Sequence, residues 1–265
     1  MTSLNMNDTD QKTKQAWERN WDDITIPQIL EIFKYGRVQK QLEIFFRVLP
    51  KNDRILEGGC GLAPYLIHLR SLGYDVVGID YNEGPIKKIL AYDPTLPVRV
   101  GDVTAIPFPD AHFGAYVSLG VIEHFVEGPE KAIREARRVL KPGGVFLVAV
   151  PVFNVFMALT APSRWLKSRK FLRKLMGKGE DNHYWEQYFD RRKLAAIFEK
   201  EGFEVRELHA LDHSHALVSF LPSVFRDKGS YDEANSLGLR AGAWCVKNLR
   251  WATAAQMTYV CYRKP

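Results

Sequence analysis

The sequence predicts an α/β fold built on a doubly wound, mostly parallel sheet, and three observations carry that expectation. From Asp53 onward, short β-branched runs alternate with stretches of helical periodicity, which is the pattern of strands joined by helical crossovers. The first run, Ile55-Leu56-Glu57, leads into a glycine turn and then a helix opening at Pro64, the kind of join at which such sheets approach a ligand. The composition, 46% hydrophobic and 26% charged over 265 residues, fits one elaborated globular domain and excludes a disordered chain or a coiled coil.

Residues 1–12 are polar, with Asp8 and Asp10 and no basic start or apolar run, so they read as a flexible tail and not a secretory signal. A single domain is expected over 13–265. Within 13–50 lie N-terminal helices: a short one at Trp17 to Asp22, then Gln28 to Leu49, whose Ile29, Leu30, Phe33, Val38, Leu42, Phe45 and Phe46 recur at helical spacing before Pro50 ends it. Strands are expected at Arg54 to Glu57, Asp75 to Asp80, Pro97 to Val100, Gly114 to Leu119 and Gly144 to Val150. Helices at Pro64 to Leu72, Gly84 to Ala91 and Pro129 to Leu140 fall between them, the last stopped by Lys141-Pro142-Gly143-Gly144. An insertion at 152–188 interrupts the alternation, which resumes with a helix at Arg191 to Glu201 and a strand at Phe203 to Leu211. A second helical insertion at 212–252, with one helical stretch from His215 to Trp251, precedes a last strand at Gln256 to Arg263.

Lys and Arg number 37 against 31 Asp and Glu, a net +6, but Arg164 to Lys178 alone contributes seven basic residues and no acid. The basicity is therefore local, which argues against general nucleic-acid binding. Cys60, Cys245 and Cys261 are far apart and form no CxxC pair, so neither a disulfide framework nor a structural zinc site is expected, and a reducing, cytoplasmic setting is.

The sharpest local feature is the turn Glu57-Gly58-Gly59-Cys60-Gly61 with Asp80 nineteen residues beyond Gly61. Together they mark a nucleoside site, because a carboxylate at the tip of the second strand can accept from both ribose hydroxyls. Charge separates the cofactors. A dinucleotide would bring its pyrophosphate beside Glu57, a repulsive arrangement in a low-dielectric crevice, and Pro64 stands where its third glycine belongs. A cofactor carrying an ammonium and a sulfonium turns the same acid into a favourable partner.

Leu56-Glu57-Gly58-Gly59-Cys60-Gly61, Gly78-Ile79-Asp80, Gly101-Asp102-Val103, Phe108-Pro109-Asp110, Val121-Ile122-Glu123-His124 and Leu140-Lys141-Pro142-Gly143-Gly144 follow in order along the chain. In these elements it resembles the class I S-adenosylmethionine-dependent methyltransferases that act on small molecules. The resemblance covers Asp53 to Pro151, with Arg191 to Leu211 and the closing strand fitting the C-terminal half. It departs at Ala63, where many members have a third glycine, and at Gly58, where a hydrophobic residue is usual. It implies a Rossmann-like seven-stranded sheet with an antiparallel last strand and S-adenosylmethionine as cofactor. Glu57, Gly58, Gly59 and Gly61 would then hold the methionine part, Asp80 and Tyr81 the ribose end, Asp102 and Val103 the adenine, and the carbonyls around Leu119 the ammonium. Arg37 would face the cofactor carboxylate or remain a surface arginine.

Methyl transfer from a sulfonium needs positioning, exclusion of water and, for some acceptors, a base. His124, just past the fourth strand, is the candidate catalytic base, with core packing as the alternative reading. Trp17 and Trp21 either close over the cofactor or anchor the first helix. His183, Tyr184, Trp185 and Tyr188 either line an acceptor pocket or pack the insertion. His213 and His215 fall on opposite sides of a helix, which does not make a metal site. The stretch Val145 to Ser163 is uncharged but broken by Pro151 and too short for the roughly 20 residues of a membrane span. With the basic run that follows, 152–178 fits either a cap over the site or a peripheral membrane contact. The expected partner is a small-molecule or lipid-like acceptor. Nucleic acid is not expected, because Ser118-Leu119-Gly120-Val121 stands where a base-flipping methyltransferase carries its Asn-Pro-Pro-Tyr-type motif. A nucleic-acid enzyme and a non-catalytic cofactor-binding protein are the competing readings.

Overall fold

The computed structural model describes residues 17, 21, 23–34, 36–160, 186–227 and 233–265, with the side chain of Arg37 outside that description. The chain divides into two compact units, one of Met1–Pro151, Tyr184–His209 and Met257–Pro265, the other of Val152–His183 and Ala210–Gln256.

In the first unit the strands β1 (Ile55–Gly58), β2 (Val76–Asp80), β3 (Val98–Val100), β4 (Phe113–Leu119), β5 (Leu140–Pro151), β6 (Phe203–Leu211) and β7 (Gln256–Arg263) form one seven-stranded sheet in the order β3-β2-β1-β4-β5-β7-β6. The sheet is parallel from β3 to β5, and β7 runs antiparallel beside β6. The order reverses at β1, which pairs with β2 on one side and β4 on the other. A crevice therefore opens at the carboxyl ends of β1 and β4, the place where open α/β sheets take ligands.

Both faces of the sheet are covered, so its central strands are buried along their length and mostly apolar, not alternating. Ile55, Leu56, Phe113, Tyr116, Phe146, Leu147 and Val148 are all buried. Phe146 stacks on Tyr116 at 5.1 Å and lies 5.1 Å from Phe203. Truncating a ring packed this way costs about 3–5 kcal/mol.

The N-terminal helical stretch is broken where one helix was predicted. Its parts are α1 (Ile26–Leu30), a 3-10 turn (Glu31–Lys34) and α2 (Gly36–Val48). Thr25 and Gln28 form a reciprocal capping box that starts α1 two residues early, with Pro27 in its first turn. Gly36, a poor helix former, begins the second helix. The helices α3 (Pro64–Ser71), α4 (Glu83–Tyr92), α5 (Glu130–Val139) and α6 (Arg191–Lys200) follow the expected order.

In the second unit, the predicted single helix over 215–251 is, among the described residues, four: α7 (His213–Phe220), α8 (Pro222–Phe225), α9 (Ser236–Asn248) and α10 (Arg250–Thr253). Pro222 cannot continue the preceding helix, and Arg226 and Ala234 form an antiparallel bridge before α9. His213 is a buried core residue, 2.9 Å through Nδ1 from Thr253 Oγ1 and 3.3 Å through Nε2 from the Ala210 carbonyl.

Candidate active site

The glycine turn exists because the chain must leave β1, reverse and enter α3 within a few residues. Gly59 (φ 69°), Gly61 (φ 53°) and Ala63 (φ 54°) all take the left-handed region, which glycine adopts freely and alanine only at a cost of roughly 1–2 kcal/mol. Ala63 cannot cap α3 with its side chain. Glu57 does so instead, its Oε2 accepting from the Leu66 N–H at 2.9 Å.

Asp80, at the tip of β2, lies across the same turn. Its Oδ2 accepts from the Gly61 N–H at 2.8 Å and its Oδ1 from the Asn82 N–H at 2.9 Å. A carboxylate oxygen can accept more than one hydrogen bond. Asp102 Oδ1 accepts from the Thr104 N–H at 2.7 Å, which shapes the loop after β3.

These residues line a cavity of about 690 Å³, with Glu57, Gly59, Gly61, Asp80, Tyr81, Asp102, Val103, Leu119 and His124 all on its wall. Small-molecule sites occupy about 300–1,000 Å³. The inner wall is acidic, whereas Lys131 and Arg134 lie at its α5 side. Burial, opposed by the Leu66 N–H and reinforced by Asp80, pushes the Glu57 carboxyl up to about 8. A buried acid held largely protonated is a group that a cation would ionise. The donor set thus fits a cofactor bearing positive charge and ribose hydroxyls, and it does not fit a pyrophosphate.

Gly58 is not on the cavity wall. A Cβ there would fall within 2.5 Å of the Tyr116 ring, so the glycine in this place is the complement of a buried tyrosine. The Arg37 side chain, like His183, Tyr184, Trp185 and the basic run 164–178, lies outside the described residues.

His124 closes the far side. It ends a short 3-10 turn, Ile122–His124, and its side chain is 12% exposed. Its Nε2 lies 3.8 Å from Glu123 Oε1. Glu123 is 2% exposed, its Oε2 has no hydrogen-bond partner among the described residues, and burial raises its carboxyl to about 8. The segment after 185 braces this turn: Gln187 donates from its backbone to the Glu123 carbonyl at 2.9 Å and from Nε2 to the Phe125 carbonyl at 3.0 Å. Tyr188 donates to Glu186 Oε1 at 2.5 Å. No local pattern announces that brace, because its value lies in backbone contacts across more than sixty positions.

Two aromatic residues from the N-terminal region complete the wall. Trp17 meets the His124 ring edge-on at 5.5 Å and stacks on Trp21, also at 5.5 Å. A Cβ on Gly61 would come within 2.9 Å of the Trp21 ring, and Lys88 Nζ donates to the Trp21 carbonyl at 2.5 Å. The indoles therefore pack on the glycine turn and on His124 at once.

Residues 56–148 match the family described as a methyltransferase domain. A probable S-adenosylmethionine-dependent methyltransferase of Mycolicibacterium smegmatis is 29% identical over 164 residues, 62% of this chain and 57% of that protein. A demethylmenaquinone methyltransferase of Renibacterium salmoninarum is 36% identical over 109 residues, 40% of this chain and 45% of the relative. The chain thus spans about half the length of these relatives. Among solved structures, a chain of the complex between the Haloferax volcanii Trm112 methyltransferase activator and the putative methyltransferase superposes with a TM-score of 0.58 at 16% identity, covering 99% of this chain and 100% of that one. That similarity is one of fold.

Proposed function

Since this chain belongs, through residues 56–148, to the class I S-adenosylmethionine-dependent methyltransferases, we propose that it transfers a methyl group from S-adenosylmethionine to a small-molecule or lipid-like acceptor beside His124. The observation that carries this reading is the convergence of Glu57, Asp80 and Asp102 on one cavity wall with the open glycine turn. Negative charge there suits an ammonium and a sulfonium. Quinone and hydroquinone methylation, named for relatives from Renibacterium salmoninarum and Synechocystis, suggests an aromatic acceptor with a long apolar tail as the first class to try.

The bound cofactor supplies an activated methyl on a positively charged sulfur. In this reading the chain supplies the rest. Asp80 accepts from the ribose hydroxyls while its existing bonds to Gly61 and Asn82 keep it fixed. Asp102 accepts from the adenine amino group and the Val103 N–H donates to the ring. Gly59 and Gly61 let the backbone come close to the methionine part. Trp17 and Trp21 keep water from the reacting atoms. His124 takes the proton that a hydroxyl acceptor releases, and Glu123 beside it orients the imidazole.

Titration calorimetry tests the first step: S-adenosylmethionine is expected to bind the wild-type chain and NAD is not. Binding of NAD in preference to S-adenosylmethionine would overturn the reading. Turnover is then read as conversion of S-adenosylmethionine to S-adenosylhomocysteine with demethylated quinols as trial acceptors.

A further inference from the structure

The crossover from β3 to β4, residues 101–112, contains no helix and one isolated bridge, Asp102 to Ala105. The backbone groups of so irregular a segment must find partners elsewhere. Its first four residues, Gly101, Asp102, Val103 and Thr104, lie on the cavity wall, and the eight that follow do not. Those eight are held from outside the cavity, chiefly by two side chains one turn apart on α5.

Glu135 Oε2 accepts from the Ile106 N–H at 2.7 Å, and Arg138 Nη2 donates to the Ile106 carbonyl at 2.8 Å. Both backbone groups of one buried residue are thereby answered by one ion pair, whose members meet at 2.8 Å through Arg138 Nε and again through Nη2. Arg138 Nη1 donates to the Phe108 carbonyl and to Asp110 Oδ1, each at 2.8 Å. These bonds match all five donors of the guanidinium. Where α5 ends, the Arg138 and Val139 carbonyls accept from the Ala111 and His112 N–H groups at 2.9 and 2.8 Å. Neither Glu135 nor Arg138 is on the cavity wall. Between Ile106 and the wall stands only a short turn, in which the Ala105 N–H donates to the Asp102 carbonyl at 3.0 Å and the Thr104 N–H to Asp102 Oδ1.

We propose that Glu135 and Arg138 are positioning residues for the base of the cofactor, fixing this loop so that the Asp102 carboxylate and the Val103 N–H present one acceptor and one donor at a set spacing. The proposal rests on the reading in which the adenine lies at Asp102 and Val103, and it deepens that reading. Adenine offers an amino donor beside a ring-nitrogen acceptor, the complement of that pair. Hypoxanthine offers a carbonyl beside a ring N–H, the reverse pattern, and sets an oxygen against the Asp102 carboxylate. A fixed loop rejects the reversed edge because it cannot turn to meet it, whereas a released loop adapts and discriminates less.

Titration calorimetry of the full chain with S-adenosylhomocysteine and with S-inosylhomocysteine reads this discrimination. The wild type is expected to favour the adenosyl compound at least about tenfold. Arg138→Gln is expected to reduce that preference at least about threefold, chiefly by weakening the adenosyl compound. Glu135→Ala approaches the pair from its other member and is expected to act in the same direction, so it carries the test if Arg138→Gln does not fold. Amide hydrogen exchange of the unliganded chain adds a readout free of any ligand: residues 101–112 are expected to exchange faster in the variants while β1 and β4 keep wild-type protection. A general loss of stability would weaken both compounds alike, so a preference unchanged in the variants overturns the proposal. So does unchanged exchange over 101–112, and so does a wild type that binds S-adenosylhomocysteine without distinguishing the inosyl compound. A wild type that binds neither compound removes the methyltransferase reading itself, and this proposal with it.

Discussion

Asp80 Oδ2 accepts the Gly61 backbone N–H at 2.8 Å, which ties the end of β2 to the glycine turn after β1. One buried carboxylate thereby shapes the turn and, on the proposed reading, receives the ribose. Asp80→Ala is expected to weaken S-adenosylmethionine at least tenfold, because two hydroxyls lose a charged acceptor worth about 1.5–3 kcal/mol. It should also lower the melting temperature, since the Gly61 and Asn82 donors are orphaned. Calorimetry well below the variant's melting temperature separates the two effects. Unchanged affinity there would remove the ribose role.

The Glu57 carboxyl, raised to about 8 by burial, gives a pH signature. In the unfolded chain it ionises near its ordinary value, so between there and pH 8 the native state holds more protons and stability falls as pH rises. Glu123, also at about 8, adds the same sign. Glu57→Gln is expected to flatten part of that decline in urea unfolding from pH 5 to 8. Cationic ligand favours the ionised form, so affinity should rise with pH toward 8 and binding at pH 7 should release up to about one proton. Calorimetry in buffers of different ionisation enthalpy measures that release, and a buffer-independent enthalpy would contradict it.

The order of the sheet was legible in the sequence because the edge that carries the glycine turn is written locally. A strand, a glycine turn and an acid at the next strand tip occupy adjacent stretches, and their order fixes which sheet edge they share. The breaks in the helices were harder to read. Apolar spacing continues through Gly36 and Pro222, so periodicity alone joins what the capping box at Thr25 and the missing N–H of Pro222 divide. The brace of Gln187 on Glu123 and Phe125 is made of pairings between residues far apart in sequence, and no spacing rule reaches that far.

Gly58 shows a different limit, since its residue type suggests ligand approach while its surroundings demand a missing side chain. Gly58→Ala would drive a methyl into the Tyr116 ring and hydroxyl. Overpacking of a dense core costs about 1–3 kcal/mol. The variant is expected to lose that much in urea unfolding while binding cofactor within about twofold of wild type. A loss of affinity without loss of stability would return Gly58 to the binding site.

On the proposed reading His124 acts on the acceptor and not on the cofactor: its ring meets Trp17 at the cavity wall, and the carboxylates toward the β1 end are the groups assigned to the cofactor. With an acceptor in hand, His124→Asn is expected to lower turnover by roughly 10²–10⁴ for a hydroxyl that must lose its proton, with cofactor affinity nearly unchanged. Glu123→Gln separates positioning from packing. It preserves shape and removes the ionisable group 3.8 Å from the imidazole, so it should shift a limb of the pH–rate profile and leave the melting temperature unaltered at about pH 3.5, where the carboxyl is protonated in the native and the unfolded chain alike. An acceptor methylated at an already unprotonated nitrogen would show neither effect, and full turnover of His124→Asn on a hydroxyl acceptor would leave the histidine a wall of the cavity and nothing more.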